Sequence, residues 1–280
     1  MADQDGDHES SSSHDRSHTC FRDWINLQKS DLDQLVKLLN PESGVEEEEG
    51  ASSSSSSNKH FELCAKTVSH FEDYMRNRAE LAREDISIYF APSWCTTLEN
   101  SLLWIAGCRP SMFIRLVYAL CGSEMERNLS QFLLQGTSNG LLGDLSAGQL
   151  SSVNMLQLKT VREEEKLTSR LATLQEDIAD QPLAVIARGA TQVGETSEEA
   201  DKALDDHERS MANILEEADK IRLKTLKELL GILTPKQGVD FLVASKKLHL
   251  SLHEWGKKRD RLHGRHRDAR KPPPQSDEES

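Results

Sequence analysis

Apolar residues recur at helical spacing through most of the chain. Phe21, Trp24, Ile25, Leu32, Leu35, Val36 and Leu39 share one helical face before Pro41 ends the run, which predicts a short amphipathic helix over 19–40. From His60 onward, Phe61, Cys64, Val68, Phe71 and Met75 alternate steps of three and four, a seam that faces other helices and is expected to stop near Pro92. Four hydroxyl residues followed three positions later by Glu or Gln read as capping boxes: Thr96 with Glu99, Ser146 with Gln149, Thr196 with Glu199 and Thr234 with Gln237. Pro235, at the first helical position, strengthens the last of them. The most apolar stretch, LENSLLWIAGCRPSMFIRLVYALCG, predicts two core helices broken at Arg109-Pro110, with Ser111 capping the second. Charged but periodic stretches over 147–180 and 198–233 predict long helices whose runs REEEK and DDHER are solvated faces. The expected fold class is all-α: a multi-helix bundle with long charged helices over 60–263, plus a tethered N-terminal amphipathic helix.

Composition sharpens the boundaries. Residues 1–18 and the acidic, serine-rich linker over 41–59 contain almost nothing apolar to offset the entropy of ordering, so both are expected to be disordered. A basic and then acidic, proline-rich tail over 264–280 is expected to be disordered as well. The balance of 34 basic against 47 acidic residues, a net charge of −13, repels a nucleic-acid backbone except at a local basic patch. Such a patch exists at GKKRDRLHGRHRDARK, with eight Lys or Arg residues against two aspartates. Five cysteines without a C-x-x-C pair argue against a disulfide framework or a zinc ribbon. The N-terminal stretch has no cationic and apolar leader, and no window reaches the roughly 18 apolar residues of a membrane span, so neither secretion nor a membrane is expected.

Candidate chemistry concentrates in KKLHLSLHEWG. His249 and His253 lie one helical turn apart on one face, a spacing that suits metal ligation. A zincin motif would need a glutamate directly after the first histidine, where Leu250 stands, whereas Glu254 follows the second. On a helical wheel Phe241, Leu248, Leu252 and Trp255 fall within about 60° of arc, while the histidines lie roughly 80 to 120° from Phe241, at the border of that stripe. Gly238, Ser245 and Gly256 lie between stripe and histidines and leave room for a neighbouring helix or a flat ligand. Two readings stand at this point: hydrogen-bonded border histidines, or a ligand site. An enzyme using the pair on a metal lacks a third ligand and a placed base. No G-x-S-x-G elbow organises a hydrolytic triad, and Cys108 beside Arg109 reads either as a reactive thiol or as an inert core-border cysteine.

The motifs YFAPSWCTTLENSLLWIAGCRPSMFIRLVYALCGS, LSAGQLSSVNMLQLKTVREEEKLT, LQEDIAD and GILTPKQGVDFLVASKKLHLSLHEWGKKRDR, in this order, resemble the plant Delay of Germination family of seed-dormancy regulators over residues 21–261. The same domain looks like the C-terminal, non-DNA-contacting part of TGA-type bZIP transcription factors, whose L-T-x-x-Q element LTPKQGVDFLVA echoes. No basic region with heptads is present in this chain, so direct sequence-specific DNA binding is not expected. The resemblance implies a nuclear, partly cytoplasmic, non-enzymatic regulator that binds type 2C protein phosphatases of abscisic-acid signalling and binds haem. It places the haem histidines at His249 and His253. It places the phosphatase-docking residues at Phe21, Asp23 and Trp24, although Thr19 and Cys20 depart from the Asp-Ser that begins the family's segment. The paired substitution of Phe21 and Trp24 by alanine is expected to abolish phosphatase binding with helicity nearly intact.

Two histidines on one face of one helix cannot ligate opposite sides of one haem iron without the porphyrin cutting their own backbone. Unequal roles are therefore expected, with His249 axial, nearer the buried stripe, and His253 further toward solvent beside Lys246. Lys257, Lys258, Arg259 and Arg261 are expected to serve nuclear import. The alternative is a TGA-like transcriptional co-regulator acting through DNA-bound bZIP partners, and self-association is a further expected contact.

Overall fold

The computed structural model describes residues 5–39, 53–122, 142–195 and 197–265. Helix α1 spans Asp5–Leu39 and α2 spans Ser53–Ala82; two short helices, α3 (Ser87–Phe90) and α4 (Thr97–Leu102), lead to α5 over 111–122. The long helices α6 (Ala147–Glu176) and α8 (Glu198–Ile232) flank a short α7 (Leu183–Gly189), and α9 (Pro235–Leu262) follows. No strand occurs among the described residues, so the fold is all-α as the periodicity predicts.

Local chemistry explains where the helices start. The boxes at Thr96, Ser146 and Thr234 all form with both reciprocal hydrogen bonds, and Pro235 occupies the first turn of α9. The start of α8 differs: Ser197, not Thr196, is the cap, because its hydroxyl reaches the Ala200 N–H. Thr196 lies outside the described residues.

The main core forms where α1, α2, α5, α6, α8 and α9 meet, around Leu35, Val68, Ile114, Val153, Leu229 and Phe241. The two charged helices pack as an antiparallel pair, as their ion pairs show: Lys159 meets Glu228 and Glu163 meets Lys224, both at 2.7 Å, and Arg170 meets Glu217. Each helix buries one line of residues, Val153, Leu156, Thr160 and Leu167 on α6, and Ile214, Ala218, Leu226 and Leu229 on α8. REEEK is not wholly solvated, however. Glu164 is buried and caps α5, accepting from the Ser111 N–H at 2.6 Å, the Ser111 hydroxyl at 3.0 Å and Arg109 Nε at 2.9 Å.

The break before α5 is tighter than the sequence suggests. Residues 104–107 form a turn in which Ile105 (φ 45°) and Ala106 (φ 54°) adopt left-handed backbone, so the expected first core helix shrinks to α4. Arg222 clamps this turn from α8, donating to the carbonyls of Trp104 at 2.5 Å, Ile105 at 2.8 Å and Cys108 at 2.7 Å. Arg78 donates to Ala106 O at 2.8 Å, and Asp219 sits between the two guanidinium groups, 2.6 Å from Arg222 and 3.2 Å from Arg78 Nε. Gly107 is required here, since a Cβ would lie 2.9 Å from Arg222 Cζ.

The N-terminal expectations need correction. The helix predicted over 19–40 extends back to Asp5, and it is docked on α2 and α9 instead of standing apart on a tether. Residues 13–18 are ordered by polar contacts that hydrophobic patterning does not register: Tyr89 Oη donates to Ser17 Oγ at 3.0 Å, His14 and Ser93 are 2.6 Å apart, and Arg16 pairs with Glu84. Of the expected linker, 53–59 already belong to α2, so the bundle begins within α1 instead of at residue 60. Residues 40–52 and the tail from 266 lie outside the described residues. Among the described residues, no helix is long and apolar enough to cross a membrane.

Candidate functional site

Between α1, α2, α4, α5 and α9 lies a cavity of about 270 Å³, walled mainly by apolar side chains including Phe71, Met75, Leu103, Phe113 and Leu242. Helix α1 closes one side with Ser17, Cys20, Phe21, Trp24 and Gln28. Helix α9 closes the opposite side with Ser245, Lys246, His249 and Leu252. Burial pushes the thiol of Cys95 up to about 12 and also raises Cys20, which keeps these cavity-lining thiols protonated and poorly nucleophilic. Cys108 also lines the cavity and is exposed.

The two histidines sit differently from the expectation. The buried line of α9 runs through Leu242, Lys246, His253 and Gly256, while Leu248 and Trp255, expected inside, are 38% and 55% exposed. The stripe turns because polar residues of α1 and α4 supply partners for Lys246 and His253. Lys246 Nζ donates to Asp31 Oδ2 at 3.0 Å and Gln28 Oε1 at 2.9 Å, and Asp31 also holds His70 Nδ1 at 2.9 Å. His253, expected toward solvent, is only 7% exposed and lies with its Nδ1 2.9 and 3.1 Å from the two oxygens of Glu99.

Burial pushes the Glu99 carboxyl up, but its bonds to His253 and Thr96 outweigh this and hold it below the usual range, so it is the acceptor and His253 Nδ1–H the donor. Thr96 donates to the same carboxylate through its N–H at 2.8 Å and its hydroxyl at 2.7 Å. Gly256 makes this contact possible, because a Cβ there would lie 2.1 Å from Thr96 Oγ1. At Gly238 the added Cβ would meet Cys64 Sγ and Leu230 Cδ2, both at 3.3 Å. Gly238 and Gly256, expected to admit a helix or a flat ligand, thus admit neighbouring protein, whereas Ser245 lines the cavity.

His249 is the histidine that lines the cavity, and among the described residues nothing hydrogen-bonds its ring. Burial pushes its conjugate acid down to about 4, helped by His253 and Lys246 and opposed by Glu99. It is therefore a neutral imidazole with a free lone pair at neutral pH. The unfolded chain takes up this proton near pH 6.5, and the folded one only near 4, so acid favours unfolding across that window. His249 should account for a loss on the order of 3 kcal/mol between those pH values, at about 1.4 kcal/mol per unit. Urea unfolding of wild type and His249→Leu across this range should show a shallower pH slope in the variant; parallel curves would contradict the assignment.

The remaining candidate residues are placed as follows. Trp24 is buried, stacked on Tyr74 with ring centroids 4.4 Å apart and an interplanar angle of 9°, with Lys246 Nζ 5.8 Å from its centroid. Phe21 is half-buried and presents an edge to His253 at 6.0 Å, and Asp23 is exposed. The expectation that Phe21→Ala with Trp24→Ala spares the fold is therefore revised. Trp24→Ala alone should cost about 3–5 kcal/mol, as for a large aromatic removed from a core. A thermal midpoint close to wild type would refute this packing. Lys257, Lys258, Arg259 and Arg261 are exposed on the last turns of α9, where positive charge also complements the helix dipole.

Sequence reasoning missed Glu99 as the partner of His253, reading it only as part of a cap, and it missed Asp31, Gln28 and His70 around Lys246. The capping box was the one available signal for Glu99. Among the described residues, no group of three or more His, Cys, Asp or Glu side chains is placed to hold a metal ion.

A family model described as Seed dormancy control matches residues 45–119. Protein DOG1-like 1 of Arabidopsis thaliana is 42% identical over 260 residues, covering 86% of this chain and 89% of the relative. Protein DOG1-like 3 of the same plant is 41% identical over 247 residues, covering 86% and 84%. A more distant similarity reaches Transcription factor TGA2 of Arabidopsis thaliana, 21% identical over 223 residues, covering 79% of this chain and 57% of that protein. With two relatives above 40% identity along most of both chains, this protein belongs to the DOG1 seed dormancy control family.

Proposed function

We propose that this seed-dormancy regulator acts without catalysing a reaction, by binding and restraining type 2C protein phosphatases of abscisic-acid signalling through α1, and that it carries haem at His249. The observation that carries the cofactor reading is a neutral imidazole, without a hydrogen-bond partner among the described residues, facing an apolar cavity, with the second histidine turned away onto Glu99. That donor set would suit a haem held by His249, with His253, fixed by Glu99, positioning the helix turn beside it. Haem would supply an iron responsive to small gaseous ligands or to redox state. The apolar lining would bind and orient the group and exclude water.

For the phosphatase, the exposed Asp23 offers a test that leaves packing alone. Asp23→Lys should weaken binding of a purified type 2C phosphatase at least about tenfold, on the scale of a reversed interface charge, with unchanged helicity and thermal midpoint. Equal affinity in the variant would refute docking through α1. Nuclear residence through the exposed basic turns at Lys257, Lys258, Arg259 and Arg261 belongs to the same reading. The similarity to Transcription factor TGA2 supports a second one, a co-regulator that acts through DNA-bound bZIP partners and self-associates. Co-precipitation of a bZIP factor from seed nuclei by Asp23→Lys, with the phosphatase absent, would favour it.

A further inference from the structure

The far end of the α6–α8 pair stands clear of the core. Among the described residues, nothing between 175 and 210 joins any of the apolar clusters, whose last members at this end are Leu174 on α6 and Met211 on α8. Over 198–213, about 24 Å of helix at 1.5 Å per residue, α8 buries no residue, and the first to be buried is Ile214. Helix α7, which packs on α8 at this end, buries none either. A helix draws most of its stability from an amphipathic face packed against a neighbour, so this arm is less covered than its pattern calls for.

The inward line of α8 does not stop where the core does. Leu229, Arg222, Ala218, Leu215, Met211 and Leu204 follow one another at spacings of seven, four and three, on one face of the helix. Cover thins outward along that line: Leu215 is wholly buried, Met211 is half-buried against the cluster of Ala82, Ile86 and Tyr89, and Leu204 is 48% exposed. On α7, Val185 is 56% exposed, and Ile178 and Val193 to either side of that helix are exposed as well. Single exposed apolar residues are ordinary, but four at one hairpin end, one of them on a line buried elsewhere, make a face that lacks its partner.

Charge identifies the partner's chemistry. Residues 176–208 carry ten Asp or Glu against Arg188 and Lys202, a net of −8, whereas the other 37 acidic and 32 basic residues of the chain leave only −5. All ten carboxylates are exposed. Local structure employs some of them: Glu198 and Glu199 complement the start of α8, Glu195 accepts from Thr191, and Asp206 pairs with Arg209 at 2.5 Å. Asp201 and Glu208, three residues before and four after Leu204 and so beside it on the helix, are engaged by no side-chain hydrogen bond or ion pair among the described residues. A face of one charge repels a second copy of itself and attracts a segment of opposite charge.

We propose that the open face of α7 and the start of α8 is a docking surface for a basic amphipathic helix of a partner protein, with its apolar residues on Leu204 and Val185 and its Lys or Arg residues against Asp201 and Glu208. In this mode apolar anchors supply affinity, while flanking charges supply orientation and encounter rate. The surface shares no residue with the lining of the cavity at His249, so it stands apart from the haem and phosphatase readings.

Fluorescence anisotropy of the full chain with a labelled helix of leucines and lysines, about five turns long and apolar along one face, tests the surface. That helix should bind at least about tenfold more tightly than a scrambled peptide of the same composition or a leucine–glutamate helix. Leu204→Gln with Val185→Gln should weaken it at least about tenfold. Asp201→Asn with Glu208→Gln should weaken it and flatten its salt dependence. Both pairs should keep wild-type helicity, because all four side chains are exposed. Equal binding of the scrambled peptide, or wild-type affinity in the Leu204 and Val185 variant, would overturn the proposal. Sedimentation tests the other occupant: a wild-type chain that self-associates and turns monomeric in that variant would assign the face to a second copy and overturn it equally.

Discussion

Replacing Arg222 with alanine is expected to remove about 3–5 kcal/mol of folding stability, the usual cost of breaking a buried charge network from one side. Arg222 is 1% exposed and bonds Asp219 together with the carbonyls of Trp104, Ile105 and Cys108. Without the guanidinium, the carbonyls of Ile105 and Cys108 lose this donor, Trp104 O keeps the Gly107 N–H, and among the described residues Asp219 keeps Arg78. The left-handed backbone at Ile105 and Ala106 costs of order 1–3 kcal/mol per residue and persists only where the surroundings enforce it. Arg222→Lys should recover little, because one ammonium cannot satisfy the fork of carbonyls and carboxylate together. The measurement is the urea midpoint of each variant. A change within the roughly ±0.5 kcal/mol of an ordinary surface substitution would show that the clamp does not hold the turn.

This cluster also marks the limit of what periodicity reveals. The patterns that announced α2, α6, α8 and α9 are regular because each of these helices buries one continuous line, and the capping boxes at Thr96, Ser146 and Thr234 were legible because their bonds lie within four residues. Arg78, Asp219 and Arg222 read as charged positions on long helices, and only their convergence on a turn distant in sequence makes them interior. The same holds for Glu164, which looks like part of a solvated run until Ser111 is placed on it. At the site, HLSLH was legible as a pair on one helical face, and the expectation of unequal roles came from placing on that face the two haem histidines that the resemblance implies. The expected reason for preferring His249 did not hold. His253 is the more buried of the two, and its withdrawal depends on Glu99, which lies 154 residues away. The rotation of the buried stripe away from Trp255 toward Lys246 was equally hidden, because a lysine becomes interior only where Asp31 and Gln28 meet it. The docking of α1 escaped for a related reason: its serines, His14 and Arg16 carry no hydrophobic signal.

On the proposed haem reading, His249→Ala should erase nearly all of the haem Soret absorption, because among the described residues it removes the one imidazole that lines the cavity. His253→Ala should act differently. It leaves Glu99 with Thr96 as its remaining donor and loosens the turn that positions His249, a change that typically lowers affinity about 10- to 100-fold at a metal site. The Soret position should be retained once haem is in excess. Neutrality of His249 favours ligation at physiological pH, since no proton need be displaced from its lone pair. Haem titration of the purified full chain, His249→Ala and His253→Ala, read by absorption, tests directly whether the cavity at His249 is the functional site. The expected result is saturable binding in wild type, weakened but saturable binding in His253→Ala and almost none in His249→Ala; full binding in His249→Ala, or equal and complete loss in both single variants, would contradict it.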